Sequence, residues 1–593
     1  MNQVPRVEDW GLENQQGILL VDGVSCLDLV REFGTPLHVV HEKRLRSNIK
    51  RFKDAFSGYQ PGVQIFYSYK SNGIPGVLQI IHQIHDEVAV GWTKQIPATA
   101  GRCMPTDSSE KKVVSNQSAN EVMGTDFKSV PKQIDISEKT ENFKLRTENF
   151  SGEGRVMRQG TDCTDSYTFS GEGWVIRQGT DFTDSLGTDF KSVPCLTDKD
   201  FKLRTDNFSG EGLGAEVISP YELWLALRMG MAPWRIVYNG INKPLESLRL
   251  ALKLKVRINA DSFEEVKQIE AEAKRLGRTC EIGIRVCPTA GWNSHFGLSL
   301  ADDGGQSFVS ANGRQGSSQG AYQAIEYISR SSHLVCTGLM CHLTTRATDG
   351  ETHSRACLDL LQFASRIHRR HGIKIQYLDL GGGFGIPTVK GFSHWESLQY
   401  RMWNRPPRAP HAAQCQPIED MASRILSTLS EGCERFRLDP PVLCLEPGRI
   451  ITSDAQVLLL TIGGIKQRRE SLWRRGKKQV FAITDGGRFN INYPLEHEYH
   501  TAFVANKLND PPRQKYFVVG RLCSPGDWVY RNIHLPHLQA GDVLAIMDSG
   551  AYFTQFSTNF SYPRAAVVAV RDGQARVLRH RETHECMISM DRI

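Results

Sequence analysis

The sequence has no pair of cysteines at the C-x-x-C spacing, although it contains 14 cysteines in 593 residues. Cysteine pairs at that spacing are typical of zinc and redox sites, so no metal site is predicted and most thiols are expected to be buried. The chain also lacks a run of eighteen apolar residues, and it has no basic stretch followed by an apolar core near its start. These absences predict a globular cytoplasmic protein without a membrane partner.

An excess of one sign of charge is missing as well. The 72 basic and 65 acidic side chains are mixed along the chain, and the formal net charge is only +7. No segment concentrates Lys and Arg as a surface for nucleic acid or anionic lipid would. We therefore predict no nucleic-acid partner.

Residues 88–211 form a low-complexity stretch rich in Gly, Ser, Thr, Asp and Lys. The phrase GTDFKSVP occurs at Gly124 and again at Gly187, and FSGEG occurs three times. The intervals are unequal and apolar residues are sparse, whereas stacking repeats need a regular period and an apolar face. This segment is predicted to be a mostly disordered insert. Two alternatives are a binding module and a segment that prevents folding.

Outside the insert, short β-rich runs alternate with amphipathic helical stretches. The eight runs are QIFYSYK, GAEVIS, RIVYNG, VRINA, IGIRVC, TGLMCHL, QYLDLGG and VLCLEPG. This alternation predicts an α/β fold in which residues 41–87 and 212–450 form a TIM-type (β/α)8 barrel. Strands and turns without long helices follow, which predicts a C-terminal β-rich domain over 451–593, joined by the N-terminal segment 1–40.

The active site of such a barrel lies at the C-terminal ends of its strands. Lys70 ends the first run, where burial would lower the pKa of its amine and leave it able to form a Schiff base. The glycines of LGGGFG allow backbone N–H groups to approach a phosphate closely. In LEPGR, Glu446 could keep a pyridine nitrogen protonated, and Arg449 could add positive charge to the phosphate site.

The order of these motifs along the chain resembles the motif order of the ornithine/diaminopimelate/arginine decarboxylase family. Its members are pyridoxal-phosphate (PLP) enzymes with an alanine-racemase-like barrel and a β-domain, and this chain is nearest in look to diaminopimelate decarboxylase-like proteins. The motifs that carry the resemblance are YSYKSN, GAEVIS, GLMCHLTT, LDLGGGFG, LEPGR, GRLCSPGD and DSGAY. The resemblance covers nearly everything outside the insert. It implies PLP as cofactor and decarboxylation of an amino acid as reaction.

The resemblance also implies roles for individual residues. Lys70 would form the Schiff base with PLP, and Cys523 would reprotonate the carbanion left by decarboxylation. Cys523 and Asp527 would enter the active site of a partner subunit, which implies a homodimer with shared sites. The implied cofactor-binding residues are Lys70, Glu216, His342, Thr345, Gly381, Gly382, Gly383, Glu446, Gly448, Arg449 and Tyr552.

The chain departs from the family at the expected substrate site. Ser524 follows Cys523 directly, where family members that act on a distal amine usually place an acid. A hydroxyl offers no charge-assisted bond to a distal ammonium, whereas Arg488 could bind a distal carboxylate. Ser524, Asp527 and Arg488 are the predicted substrate-binding residues. The expected substrate is an L- or meso-amino acid, and a non-basic or carrier-bound side chain remains open.

Two other functions remain open from the sequence. Racemisation on the same scaffold needs a second base on the opposite face of the substrate, and the segment GRLCSPGD favours decarboxylation instead. The second alternative is a PLP-binding homologue that has lost catalysis.

Overall fold

The structure is a computed structural model that describes residues 5–82, 169–170, 173–174, 212–291, 295–300, 320–469, 478–491 and 494–592. The predicted insert lies outside these residues, apart from an antiparallel pairing of Phe169–Ser170 with Gly173–Trp174. The chain divides into two compact units, of which one is Met104–Leu203. The other unit, Met1–Cys103 with Arg204–Ile593, contains the barrel and the β-rich region.

Eight parallel strands close into a barrel, because each pairs with the next in sequence and the last pairs with the first. This confirms the predicted (β/α)8 barrel. We number its strands β1 (Val63–Ser68), β2 (Gly214–Val217), β3 (Ile236–Tyr238), β4 (Arg257–Ala260), β5 (Cys280–Cys287), β6 (Leu334–Met340), β7 (Tyr377–Asp379) and β8 (Val442–Leu445).

The barrel strands alternate with helices whose apolar faces are buried. Ser219 and Ser262 each accept a backbone N–H three residues later, which caps the helices after β2 and β4. The longer helices of this part are Glu42–Ala55, Pro75–His82, Pro220–Arg228, Leu245–Leu254, Phe263–Arg275, Ala321–Arg330, Glu351–His371, His394–Trp403 and Ile418–Phe436. Within the described residues, no helix combines the length and apolarity needed to cross a bilayer.

A nine-stranded sheet forms the β-rich region, as predicted for the C-terminal part of the chain. Its strand Leu37–His41 comes from the N-terminal segment and pairs with Gln456–Arg469 and Ala566–Arg571. The other strands are Lys478–Thr484, Ala502–Val504, Gln514–Val519, Trp528–Leu535, Val543–Ile546 and Gln574–Arg579.

Several short elements complete the larger unit. A three-stranded sheet near the N-terminus precedes the helix Cys26–Phe33. The short strands are Glu13–Gln15, Ile18–Val21, Val24–Ser25, Leu298–Ser299, Lys390–Gly391 and Glu498–Tyr499. The short helices are Arg449–Thr452, Arg488–Ile491, Pro494–His497 and His584–Met587.

Polar and aromatic side chains fill the barrel interior below the mouth. Tyr377 donates its hydroxyl hydrogen to Asn259 Oδ1 at 2.7 Å, and Asn259 Nδ2 donates to Asn239 Oδ1 at 2.8 Å. The Tyr377 ring fits because two glycines, Gly338 and Gly283, face it. A Cβ on Gly338 would lie 2.0 Å from the ring. This layer supports the residues at the C-terminal ends of the strands.

The two sides of the predicted insert meet where a helix passes into β2. His82 Nδ1 lies 2.7 Å from the carbonyl oxygen of Leu213, and Leu213 N donates to the carbonyl of Ile81. This junction precedes β2, so it lies on the barrel face opposite the C-terminal ends of the strands. A long insertion at this junction therefore leaves the pairing of the barrel strands intact.

We expect deletion of residues 88–211 to leave the fold intact. The free energy of unfolding should rise by at most about 3 kcal/mol, because each doubling of loop length costs only about 0.6 kcal/mol. Equilibrium denaturation checks this, and a Gly/Ser linker of the same length as the insert separates the effect of length from that of sequence. Loss of soluble, folded protein on deletion would contradict the expectation.

Candidate active site

Lys70 and Glu216 meet at the mouth of the barrel. Lys70 lies two residues beyond β1, and its Nζ donates to Glu216 Oε2 at 2.7 Å. The hydroxyl of Ser68 donates to the same oxygen at 2.5 Å. Glu216 is fully buried, whereas 27% of the Lys70 side chain is exposed. The amine is therefore anchored to a buried carboxylate, on a side chain that is only partly enclosed.

The protonation of Lys70 differs from the sequence-based expectation. Burial does act to lower its pKa, but the negative charges of Glu216 and Glu446 outweigh burial, and the pKa is raised. The expectation that the site lowers this pKa is therefore wrong. Lys70 is a cation held by acidic neighbours.

Glu446, the residue after β8, is a buried acid whose pKa is raised. Asn239 donates to its Oε1, while its Oε2 accepts no hydrogen bond among the described residues. Burial raises its pKa well above the usual value, and the carboxylates of Asp379 and Glu216 raise it further. Burial also raises the pKa of Asp379, to about 6.

His342 follows β6 closely and presents a neutral ring. Burial lowers its pKa well below the usual value, and the positive charges of Lys70 and Arg285 lower it further. Its Nδ1 accepts a hydrogen bond from Gly382 N at 3.4 Å. An uncharged imidazole beside the lysine suits contact with a flat aromatic ring.

Gly381, Gly382 and Gly383 follow β7 and form a backbone cradle. A Cβ on these residues would lie 2.5, 2.1 and 2.0 Å from carbonyl oxygens of other loops, including that of Glu446. Gly381 and Gly383 also have φ of +67° and +85°. Only glycine fits these positions. The N–H groups of Gly381 and Gly382 donate to Asp379 Oδ1 at 2.9 Å and to His342 Nδ1 at 3.4 Å.

Arg449 and Tyr552 complete the mouth. Arg449 donates to both oxygens of Glu498, at 2.7 and 2.9 Å, and its Nε donates to the carbonyl of Thr345 at 3.2 Å. Its guanidinium lies 5.3 Å from the centre of the Tyr552 ring. The backbone N–H of Tyr552 donates to Ser71 O at 2.7 Å, which brings the motif DSGAY to the loop that carries Lys70.

Gly448 lies at the same junction, because a Cβ there would lie 2.8 Å from the Cβ of Ser71. The eleven predicted cofactor-binding residues therefore gather around one barrel mouth. They are supplied by the ends of β1, β2, β6, β7 and β8 and by one loop of the β-rich region.

The second predicted group, around Cys523, is built differently. Cys523 is exposed, and no contact between it and Lys70 occurs within the described part of the chain. Asp527 is buried, and its carboxylate accepts the backbone N–H groups of Arg488 and Leu522 at 2.6 and 2.8 Å. Ser524 Oγ accepts from Gly526 N at 3.3 Å. Asp527 thus holds the cysteine loop in shape.

Arg488 is engaged within its own chain, since it pairs with Glu496 at 2.5 Å and donates to the carbonyl of Gly526 at 3.2 Å. Substrate binding by Ser524, Asp527 and Arg488 remains a prediction.

Four residues of the site escaped the sequence-based prediction: Ser68, Asn239, Asp379 and Glu498. Asn239 and Asp379 could have been noticed as polar residues at the ends of apolar strands, in RIVYNG and LDLGGG. Glu498 lies in a stretch without a clear pattern, so nothing in the sequence marks it as a buried partner of arginines.

Comparison with known proteins agrees with this geometry. A family model described as the pyridoxal binding domain of pyridoxal-dependent decarboxylases matches residues 205–453. The match spans β2 to β8 and includes the glycine cradle and Glu446, whereas Lys70 precedes it.

Named relatives extend the similarity over more of the chain. Diaminopimelate decarboxylase of Methanothermobacter thermautotrophicus is 26% identical over 96% of this chain and 94% of that protein. The Bacillus subtilis enzyme of the same name is 28% identical over 64% of this chain and 80% of its own length.

Solved structures share the fold. Diaminopimelate decarboxylase of M. jannaschii, in complex with L-lysine, aligns with a TM-score of 0.63 and 20% identity, covering 98% of each chain. The Helicobacter pylori enzyme, also with L-lysine, aligns with a TM-score of 0.58 and 18% identity, covering 95% of this chain and 98% of that one.

The residues present fit PLP. The partner-free Oε2 of buried Glu446 suits the pyridine nitrogen, the three glycines suit the phosphate, and Lys70 supplies the amine. The neutral ring of His342 suits the face of the pyridine.

We expect Gly382→Ala to weaken PLP binding at least about tenfold, because the added Cβ would lie 2.1 Å from the carbonyl oxygen of Glu446. Titration of the visible absorbance of bound PLP measures the effect. Gly58→Ala is the matched control, since nothing lies within 4 Å of a Cβ at Gly58. Equal PLP affinity of the two variants would refute a phosphate cradle at this position.

Proposed function

Because residues 205–453 match the pyridoxal binding domain of the pyridoxal-dependent decarboxylases, we propose that this chain removes the carboxyl group of an amino acid by means of Lys70 and Cys523. The family makes it a PLP-dependent carboxy-lyase of the diaminopimelate decarboxylase type. The observation that carries the residue assignment is the meeting of Lys70, the buried acid Glu446 and the glycine cradle at one barrel mouth.

PLP, when bound, supplies an electron sink for the electron pair that the departing carboxyl group leaves behind. The raised pKa of Glu446 favours its protonated form, and Oε2 is the oxygen left to face the pyridine nitrogen. Asp379, with a pKa of about 6, is the second carboxyl that can hold the proton. Asn239 keeps the Glu446 side chain in this orientation.

Lys70 is proposed to bind the cofactor covalently. Its amine must lose a proton before it can act as a nucleophile, and Glu216 at 2.7 Å is the acceptor in place. Ser68 donates to the same carboxylate and orients it. Arg449 and Tyr552 are proposed to lie near the phosphate, where Arg449 remains neutralised by Glu498.

Cys523 is proposed to return a proton to the substrate carbon that has lost its carboxyl group. It is exposed within one chain, on a loop that Asp527 holds by two backbone hydrogen bonds. A second copy of the chain is therefore proposed to bring this loop to the Lys70 site, and the functional unit would be a homodimer.

The proposed substrate is an L- or meso-amino acid. The named relatives are diaminopimelate decarboxylases, and two solved neighbours are described with L-lysine. Ser524 offers no charge for a distal ammonium, and Arg488 is already paired with Glu496. These two features support a distal group that is neutral or bound by other residues.

A screen of free amino acids for CO2 release tests the proposed function. Lys70→Ala should abolish CO2 release, because Lys70 is the amine that the described residues place against Glu216 at the mouth, whereas replacing the exposed Lys50 by Ala should retain it. Loss of optical activity without CO2 would favour a racemase. Bound PLP without turnover of any amino acid would favour a non-catalytic homologue.

Mixing Lys70→Ala with Cys523→Ala subunits tests the shared site. Half of the randomly formed dimers would be mixed, and each mixed dimer would hold one intact site, so the mixture should recover about a quarter of the wild-type activity. The activity of each variant alone is the control. No recovery after verified subunit exchange would show that Lys70 and Cys523 act from the same chain.

A further inference from the structure

A second cavity lies beside the candidate active site, on the same face of the barrel. Its volume is about 840 Å³, which exceeds the space that a free amino acid needs. Its walls come from the loop after β6, with Arg346 and Thr348, and from the long segment after β7 between Ile386 and Cys415. Arg346 follows Thr345 directly, and Ile386 comes three residues after the glycine cradle. The cavity therefore adjoins the mouth without including any predicted cofactor residue.

Positive charge dominates the walls of this cavity. Arg346, Lys390, Arg405 and Arg408 line it, and Glu396 is the only acidic residue among the lining side chains. Two of the four cations form ion pairs. Arg346 pairs with Glu498 at 2.5 Å, and Lys390 pairs with Glu396 at 2.6 Å.

Arg405 and Arg408 have no such neutralisation. Neither forms an ion pair within the described residues, and Glu396 is already engaged by Lys390 and by the N–H of Ser393. Both arginines lie in the segment RPPRAP, where three prolines restrict the backbone in advance. Two guanidinium groups on a stiff segment can bind phosphate or carboxylate oxygens at a small cost in conformational entropy.

An aromatic surface borders the same cavity. Trp395 lines the cavity and is 60% exposed, and its ring lies 6.0 Å from the ring of Trp403. The helix His394–Trp403 that carries both rings is fixed by a capping box between Ser393 and Glu396. A large exposed aromatic ring on a fixed helix can stack on a planar group of a ligand.

We propose that this cavity is a second binding site, for a small molecule that carries two or more anionic oxygen groups on a planar aromatic body. Arg405 and Arg408 bind the anionic groups, and Trp395 stacks on the aromatic body. Residues of the Lys70 site take no part, so this site does not depend on the proposed catalytic roles.

Calorimetric titration of the PLP-loaded full chain tests the proposal with three probes. ADP carries anionic phosphates on a planar aromatic body. Pyrophosphate carries the anionic phosphates alone, and citrate carries carboxylates without an aromatic body. ADP should bind saturably below about 1 mM and more tightly than either other probe. Absence of saturable ADP binding, or binding of citrate or pyrophosphate as tight as that of ADP, would overturn the proposal.

Variants assign the binding to the named residues. The double variant Arg405→Gln with Arg408→Gln should lower the affinity for ADP about tenfold or more, because charge-assisted hydrogen bonds are lost. The double variant Arg513→Gln with Arg592→Gln removes the same charge from exposed positions outside the cavity and should leave ADP affinity unchanged. Trp395→Ala should lower the affinity for ADP and leave the affinity for pyrophosphate unchanged. Equal losses in the cavity and control pairs would show general charge attraction and refute the site.

Discussion

The site depends on one electrostatic constraint, the burial of three carboxyl groups around a single lysine. Glu216, Asp379 and Glu446 are all fully or almost fully buried, and Lys70 is the cation that contacts Glu216. One positive charge cannot stabilise three negative charges where little water is present, so at least one carboxyl keeps its proton. Burial raises the pKa of both Asp379 and Glu446, while Glu216 stabilises the charge of Lys70. These groups meet at the barrel mouth where the cofactor is proposed to bind.

A second charge cluster joins the barrel to the β-rich region. Arg346 and Arg449 come from barrel loops, whereas Glu498 and His500 come from the later part of the chain. Burial acts to raise the pKa of Glu498, but the charges of Arg449, His500 and Arg346 lower it, so this carboxyl stays ionised. Because two arginines share one carboxylate, the cluster fixes the position of both loops at the mouth. It also separates the candidate active site from the basic cavity that Arg405 and Arg408 line.

Much of this organisation was accessible from the sequence, because it follows from local patterns. All eight barrel strands were predicted, since each is a short β-rich run followed by a helical stretch. The three glycines after β7 were noticed because LDLGGGFG stands in the same order as the other motifs, although a tight turn explains such a run equally well in isolation. The pKa of Lys70 was predicted in the wrong direction, because the sequence shows the apolar strand before Lys70 but not the carboxylates that β2 and β8 bring beside it. Asn239 and Asp379 were missed for the same reason, since their importance lies in contact with Glu446.

The sequence by itself determined the barrel and the β-rich region, and its motifs carry the similarity to the pyridoxal-dependent decarboxylases. Each of these depends on periodicity or on motifs, which are properties of neighbouring residues along the chain. Only the tertiary structure decided which groups are charged, which arginines are neutralised and that Asp527 holds the cysteine loop. Those properties depend on the distance between residues that are far apart in sequence and on how much water reaches them. Closure of the barrel sets both, because it brings the ends of all eight strands to one face.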